Sequence, residues 1–116
     1  MNNLGKLWEI KACNYLRRRG YKLLSPNFSC RFGEIDLIMQ NRKYICFIEV
    51  KQRDASSIAS PAEFVSPEKQ KKLIATAKLY LSNNPTKLQP RFDVIEVYTQ
   101  DNEVKKIKHL ANAFEL

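Results

Sequence analysis

Between Gly33 and Lys51 the chain reads GEIDLIMQNRKYICFIEVK, two apolar, β-branched runs separated by a polar turn. Such runs specify neighbouring strands of a hairpin. Three acids, Glu34, Asp36 and Glu49, interrupt them, although acidic side chains are poor strand formers. Carboxylates set among Ile, Leu, Phe and Val must be paired or put to use. This requirement limits the hairpin to a few registers.

Side chains alternate along a strand with a period of two. Glu34, Asp36 and Ile38 are expected on one face of the first strand, with Ile35, Leu37 and Met39 on the other. On the second strand Ile45, Phe47, Glu49 and Lys51 share a face, and Tyr44, Cys46, Ile48 and Val50 share its opposite. A two-residue turn at Asn41-Arg42 pairs Asp36 with Phe47 and leaves Glu49 on the diagonal. A four-residue turn sets Asp36 directly opposite Glu49. A three-residue loop would separate the two acids unless a bulge restored them.

Carboxylates about 5 Å apart repel by about 3 kcal/mol at an effective dielectric near 20. Lys51, two residues beyond Glu49, is one source of compensating charge. A hard divalent cation with oxygen ligands and open water positions, Mg²⁺ or Mn²⁺, is another. An ordinary Glu–Lys ion pair on a wet sheet face satisfies the same spacing.

A chain of 116 residues is expected to form one domain, 1–116, burying roughly two-thirds of its unfolded surface. Its formal net charge of +8 points to a polyanionic partner, nucleic acid or an anionic membrane surface. No apolar run reaches the length of a membrane span. The start, MNNLGKLWEIKAC, lacks a basic-then-apolar signal pattern, so the cytoplasm is the expected location. Cys13, Cys30 and Cys46 are odd in number and widely spaced, which argues against a disulfide framework or a zinc knuckle. Cys13 and Cys46 read as buried thiols. The single histidine, His109, reads as a surface residue beside Lys105, Lys106 and Lys108. Any catalysis would therefore fall to carboxylates, a lysine and a metal.

Leu4, Leu7, Trp8, Ala12, Tyr15 and Leu16 recur at helical spacing, predicting an amphipathic helix over 4–19, capped by Asn2 or Asn3 and ended by Gly20. Glu9 borders its apolar stripe, either paired on the surface or leaning over the sheet. Arg17-Arg18-Arg19 suits the helix C-terminus and is compatible with phosphate contact. Tyr21–Leu24 predicts a strand, interrupted at Ser25-Pro26-Asn27, and Phe28–Phe32 carries the chain across. Gln52–Ser57 is polar and small, and reads as a mobile loop suited to substrate contact. Ser66-Pro67-Glu68 starts a second helix running to about Leu81, with Lys69, Lys71, Lys72 and Lys78 off its apolar face. Arg91–Tyr98 predicts a strand, and Val104–Lys108 a short edge strand whose lysines discourage aggregation. The helix between the EVK and RFDVIEV strands is long enough for a right-handed parallel crossover. The order αβββαβ plus a short edge strand gives an α/β fold, a mixed β-sheet of about five strands flanked by helices.

This order, with Asp-x12-Glu-x-Lys across the hairpin, resembles the PD-(D/E)xK nuclease superfamily and its restriction-endonuclease-like core. The small YraN-like bacterial family, distantly related to archaeal Holliday junction resolvases, is the more specific resemblance. It covers roughly Gly5 to Tyr98 and rests on blocks in one order: Gly5 to Leu16 with Glu9; Arg18 to Tyr21 with Asn27; Arg31-x-Gly33-Glu34-Ile35-Asp36-Leu37-Ile38; Phe47-Ile48-Glu49-Val50-Lys51-x-Arg53; Lys69-Gln70; and Arg91-Phe92-Asp93-Val94. Two positions depart from it: Ile35 stands where the signature has proline, and Ala59 where the family often has glycine.

The resemblance implies that Asp36 and Glu49 bind Mg²⁺ or Mn²⁺, with the Val50 carbonyl as a further ligand. It implies that Lys51 orients or deprotonates the attacking water, and that Glu9 completes the metal shell. Lys69 and Gln70 match polar active-site positions of some relatives. Arg31, Arg53 and Lys72 join them as expected nucleic-acid contacts. DNA, branched or damaged, is the implied substrate, and a homodimer the implied assembly. Two other readings are a nucleic-acid-binding module of nuclease fold without independent catalysis, and a basic protein serving a protein or membrane partner. The last leaves the acids in the strands without a purpose.

Overall fold

The computed structural model describes residues 3–59 and 65–115. Its elements are α1 (Asn3–Arg17), β1 (Lys22–Cys30), β2 (Gly33–Gln40), β3 (Tyr44–Asp54), a 3-10 turn (Ala55–Ser57), α2 (Pro67–Asn83), β4 (Gln89–Gln100) and β5 (Glu103–Phe114). The five strands form one sheet in the order β1-β2-β3-β4-β5. β3 and β4 run parallel and the other pairs antiparallel. The crossover through α2 is what permits the parallel pair.

Each helix covers one face. Trp8, Ala12, Cys13 and Leu16 of α1 pack on Leu37, Met39, Cys46, Ile48, Ile95 and Val97. Leu73, Ala77 and Tyr80 of α2 pack on Ile35, Ile38, Ile45, Phe47, Phe92 and Val94. Side chains of this kind contribute about 1.5–3 kcal/mol each when fully buried. α1 stops as expected: Gly20 takes φ 92°, and the Tyr21 amide closes back on the Leu16 carbonyl at 3.1 Å. Ser66 caps α2 by accepting from the Lys69 amide, with Pro67 at the first helical position. Of the expected α1 caps, Asn2 lies outside the described residues. None of the described helices is long and apolar enough to cross a membrane.

The α/β expectation holds, a mixed five-stranded sheet flanked by two helices and consistent with a nuclease-like core. Three expectations about its parts are corrected. β1 is not interrupted at Ser25-Pro26-Asn27: it runs unbroken through them, with a register shift between Leu23 and Ser25. Proline is tolerated because β1 lies at the sheet edge. The stretch after Lys51 is not a mobile loop. β3 continues to Asp54, whose carboxylate caps the 3-10 turn by accepting from the Ser56 amide. The edge strand is not short, since β5 runs twelve residues to Phe114. It is joined to β4 by a tight turn in which Asp101 and Asn102 both take positive φ.

Candidate active site

The β2–β3 turn is the four-residue alternative, with Gln40 paired to Ile45 and Ile38 to Phe47. The Asn41 carboxamide oxygen accepts from the amides of Lys43 (2.9 Å) and Tyr44 (2.8 Å) and fixes this turn. Continued, the register sets Asp36 opposite Glu49. The regular ladder stops one pair earlier, at Leu37–Ile48. There the Asp36 carboxylate accepts directly from the Val50 amide at 2.8 Å.

Asp36 also marks a break in the alternation. Leu37 and Met39 pack under α1, whereas Ile35, expected beside them, packs under α2 with Ile38. Across on β1 the break falls between the pairs Pro26–Leu37 and Phe28–Ile35, where Asn27 takes φ 49°. Asp36 therefore occupies a seam and feels charge from both sides. Burial raises its carboxyl to about 6, and Glu9 from α1, Glu49 from β3 and Glu34 from β2 add to the effect. The Val50 amide opposes them. Glu9 is raised as well, by burial first, with an Asn27 hydrogen bond and Lys6 acting against it.

A pocket of about 140 Å³ opens between β2, β3 and α2, lined by Gly33, Glu34, Asp36, Glu49, Lys69, Lys72 and Leu73. Gly33 takes φ 149° there, a backbone in which a side chain is strained. Glu49 is 11% exposed and pairs through Oε1 with the Lys69 ammonium. Its Oε2 is buried without a hydrogen-bond partner. Lys51 was one expected neutraliser of Glu49; the ion pair belongs instead to Lys69, from α2. Lys51 is half-buried, on Glu49's face by alternation and beside Glu96 of β4.

The structure thus brings Asp36, Glu49, Glu9, Lys69 and Lys72 around one seam. Gln70 does not line the pocket; its amide donates to the Val65 carbonyl at 2.8 Å. The Arg53 Nε lies 3.3 Å from Glu96, which also accepts from the Tyr98 hydroxyl at 3.1 Å. Arg31 is exposed on the β1–β2 turn, 4.8 Å over the Phe32 ring. Among the described residues no three His, Cys, Asp or Glu side chains converge as a metal cage. The donor set still fits a hard cation: two carboxylates, one oxygen unpartnered and the other acid held high by burial and like charge. Such a cation would draw its remaining ligands from backbone, water or substrate.

Sequence reading passed over the acids of β4. Asp93 is buried and accepts from Arg91 Nε (2.9 Å) and Nη2 (2.8 Å), from the Asn112 amide (3.0 Å), and lies 2.7 Å from His109 Nε2. Burial acts to raise its carboxyl, but the bonds from His109, Arg91 and Asn112 prevail and hold it below its ordinary range. His109 is therefore half-buried and not a surface residue. Burial, with Asp93 adding, pushes the nearby Cys46 thiol up to about 12. The signal that exposes the hairpin acids, carboxylates within a β-branched run, is equally present in Phe92-Asp93-Val94-Ile95-Glu96-Val97.

A mixed sheet between two helices, with acids gathered where its β2–β3 hairpin opens, defines an α/β protein and is consistent with a nuclease-like core. The chain belongs to the uncharacterised protein family UPF0102, whose profile matches residues 8–97. It is 42% identical over 114 residues to a UPF0102 protein of Caldanaerobacter subterraneus subsp. tengcongensis, covering 96% of this chain and 93% of that one. A UPF0102 protein of Clostridioides difficile is 43% identical over 117 residues, covering 98% and 100%. One of Syntrophomonas wolfei subsp. wolfei is 41% identical over 116 residues, covering 98% and 100%. These names carry no reaction, so the functional reading rests on the site.

Proposed function

We propose that this chain is a cytoplasmic, metal-dependent nuclease that hydrolyses phosphodiester bonds in DNA, with branched or damaged DNA as its substrate class. The observation that carries the reading is the unpartnered, buried Oε2 of Glu49 facing a carboxyl raised to about 6. Asp36 and Glu49 would hold Mg²⁺ or Mn²⁺, with the Val50 carbonyl and Glu9 completing its surroundings. Bound there, the ion would supply Lewis acidity and lower the pKa of a water. Lys51 would orient the attacking water and balance the charge that grows on the phosphate. Lys69, Lys72 and Arg31 hold the flanking phosphates, contacts that position without reading sequence. Arg53 and Gln70, each bonded within the protein, keep β3 and the start of α2 in place beside the phosphate.

A second reading, a nucleic-acid-binding module of the same fold without independent catalysis, draws support from the Lys69 ammonium already seated on Glu49. One experiment separates them. A labelled panel of four-way junction, flap, single strand, duplex and RNA is incubated with Mg²⁺, with Mn²⁺ and with chelator, using Glu49→Ala as control. The nuclease reading expects cutting that needs both metal and Glu49. Tight binding without cutting under any metal would replace it with the second. The homodimer implied by resolvase resemblance is checked by the mass in solution, with and without junction.

A further inference from the structure

The end of the sheet away from the acids carries charge that the proposed chemistry does not use. α1 ends there in Arg17, followed by Arg18 and Arg19; β1 begins there with Lys22, and the β2–β3 turn presents Arg42 and Lys43. All six are exposed. A concavity of about 330 Å³ joins the two segments, lined by Arg19, Gly20, Asn41, Arg42 and Lys43. The chain contains no acid between Ile10 and Gly33, or between Leu37 and Ile48. Among the described residues Arg17, Arg18, Lys22, Arg42 and Lys43 form no ion pair. Two acids lie at this end of the sheet: Asp93, on the early part of β4, is buried and taken up by Arg91 and His109, and the exposed Glu115, after β5, lines a neighbouring concavity with Tyr44 and Gln89.

Protein surfaces ordinarily intersperse the two signs of charge. Six exposed cations with one exposed acid near them repel one another and create a local field that a polyanion relieves. Part of this group is also held in place. The Arg19 guanidinium donates to the Tyr15 carbonyl at 3.2 Å and lies 3.5 Å from the centre of the Tyr15 ring. The Asn41 side chain fixes the backbone that carries Arg42 and Lys43.

We propose that this pole is a second phosphate-binding face, gripping nucleic-acid backbone at a distance from the acids. The inference rests on the reading that those acids act on nucleic acid. Lys43 and Glu49 lie on one extended stretch, about 20 Å apart at the rise of a strand. A duplex covers about 20 Å in about six base pairs. A duplex seated at Glu49 therefore reaches the pole about half a helical turn away, and a branched substrate reaches it with a second arm.

The test compares wild type with the triple variant R18A/R42A/K43A, whose substituted positions are all exposed, and with R18K/R42K/K43R, which keeps the charge. Hairpins with stems from about four to about twenty base pairs are titrated by fluorescence anisotropy at several salt concentrations. Wild-type affinity is expected to step up once the stem passes about six base pairs. The triple alanine variant should lose that step, bind the longest stem at least tenfold more weakly, and show a salt slope shallower by about two to three. The charge-keeping variant should restore both. An unchanged step and slope in the alanine variant would overturn the proposal. So would binding that depends on these residues for phosphatidylglycerol vesicles but not for any hairpin. Glu49→Ala separates this outcome from the fate of the nuclease reading. A wild type that shows the step but cuts nothing keeps the face and rejects the nuclease; metal- and Glu49-dependent cutting without the step does the reverse.

Discussion

Asp36 has an ordinary value of 3.8, and burial among Glu9, Glu49 and Glu34 carries it to about 6. A carboxyl raised in the folded state binds its proton more tightly there than in the unfolded chain. Its stabilising contribution is therefore complete below about pH 4 and is lost as pH rises through about 6. The displacement corresponds to about 3 kcal/mol. Without divalent cations, Asp36→Asn is expected to raise stability at pH 7.5 by about 1–3 kcal/mol and to leave it little changed at pH 4. Urea titrations at the two pH values, with chelator present, check this. Adding Mg²⁺ should stabilise wild type and not the variant. Lys51→Ala belongs to the same scale: it removes a charge beside the acids but none of the bonds that hold them. DNA binding is expected to stay within about threefold, and cleavage to fall by about 10²-fold or more, measured on the substrate the panel identifies. Asp36 and Glu49 are legible in the sequence because carboxylates among β-branched residues stand out, but two-residue alternation puts Ile35 on the wrong face, since the strand breaks its alternation at Asp36. The Lys69 pairing is not legible. It depends on how α2 rotates against the sheet, which packing decides and local pattern does not.

β5 shows what strand propensity leaves open. Glu103–Phe114 carries three lysines and a histidine and is weakly apolar, so pattern alone stops it at Lys108. Its far half is held by one buried carboxylate of the neighbouring strand, which takes both His109 and the Asn112 amide. Asp93→Ala leaves the half-buried Arg91 with its bond to the Tyr21 hydroxyl but without its carboxylate, strips His109 and Asn112 of their acceptor, and is expected to cost about 3 kcal/mol. Hydrogen exchange should then quicken selectively across 108–114. Because the folded state lowers the Asp93 carboxyl, its contribution is complete above about pH 4 and disappears as pH falls through that lower value. This is opposite in sense to Asp36. The interruption expected in β1 fails for a related reason: proline and asparagine argue against a central strand, and sequence does not say which strand lies at the edge. The helices were readable nearly to their ends, since their spacing, caps and stops agree with one another.

At the scale of the molecule, charge is unevenly spread. Glu34, Asp36, Glu49 and Glu9 collect where β2 and β3 open, interspersed with Lys69 and Lys72, whereas Arg17, Arg18, Arg19, Lys22, Arg42 and Lys43 gather exposed at the other pole. Long-duplex binding should therefore weaken steeply with salt, by about 0.9 in log–log slope for each phosphate neutralised. A slope near zero in an anisotropy titration would contradict any backbone-gripping role. The order of the strands has a further consequence, in time. Every strand lies beside its neighbour in the chain, and only the β3–β4 pairing spans a helix. Asp36 and Glu49 meet through a single hairpin turn, a closure that takes microseconds, while Lys69 arrives only with α2. During synthesis the two acids are thus brought together before their cation exists as a neighbour. The parallel joining of β4, with its longer loop to close, is the step expected to set the folding rate.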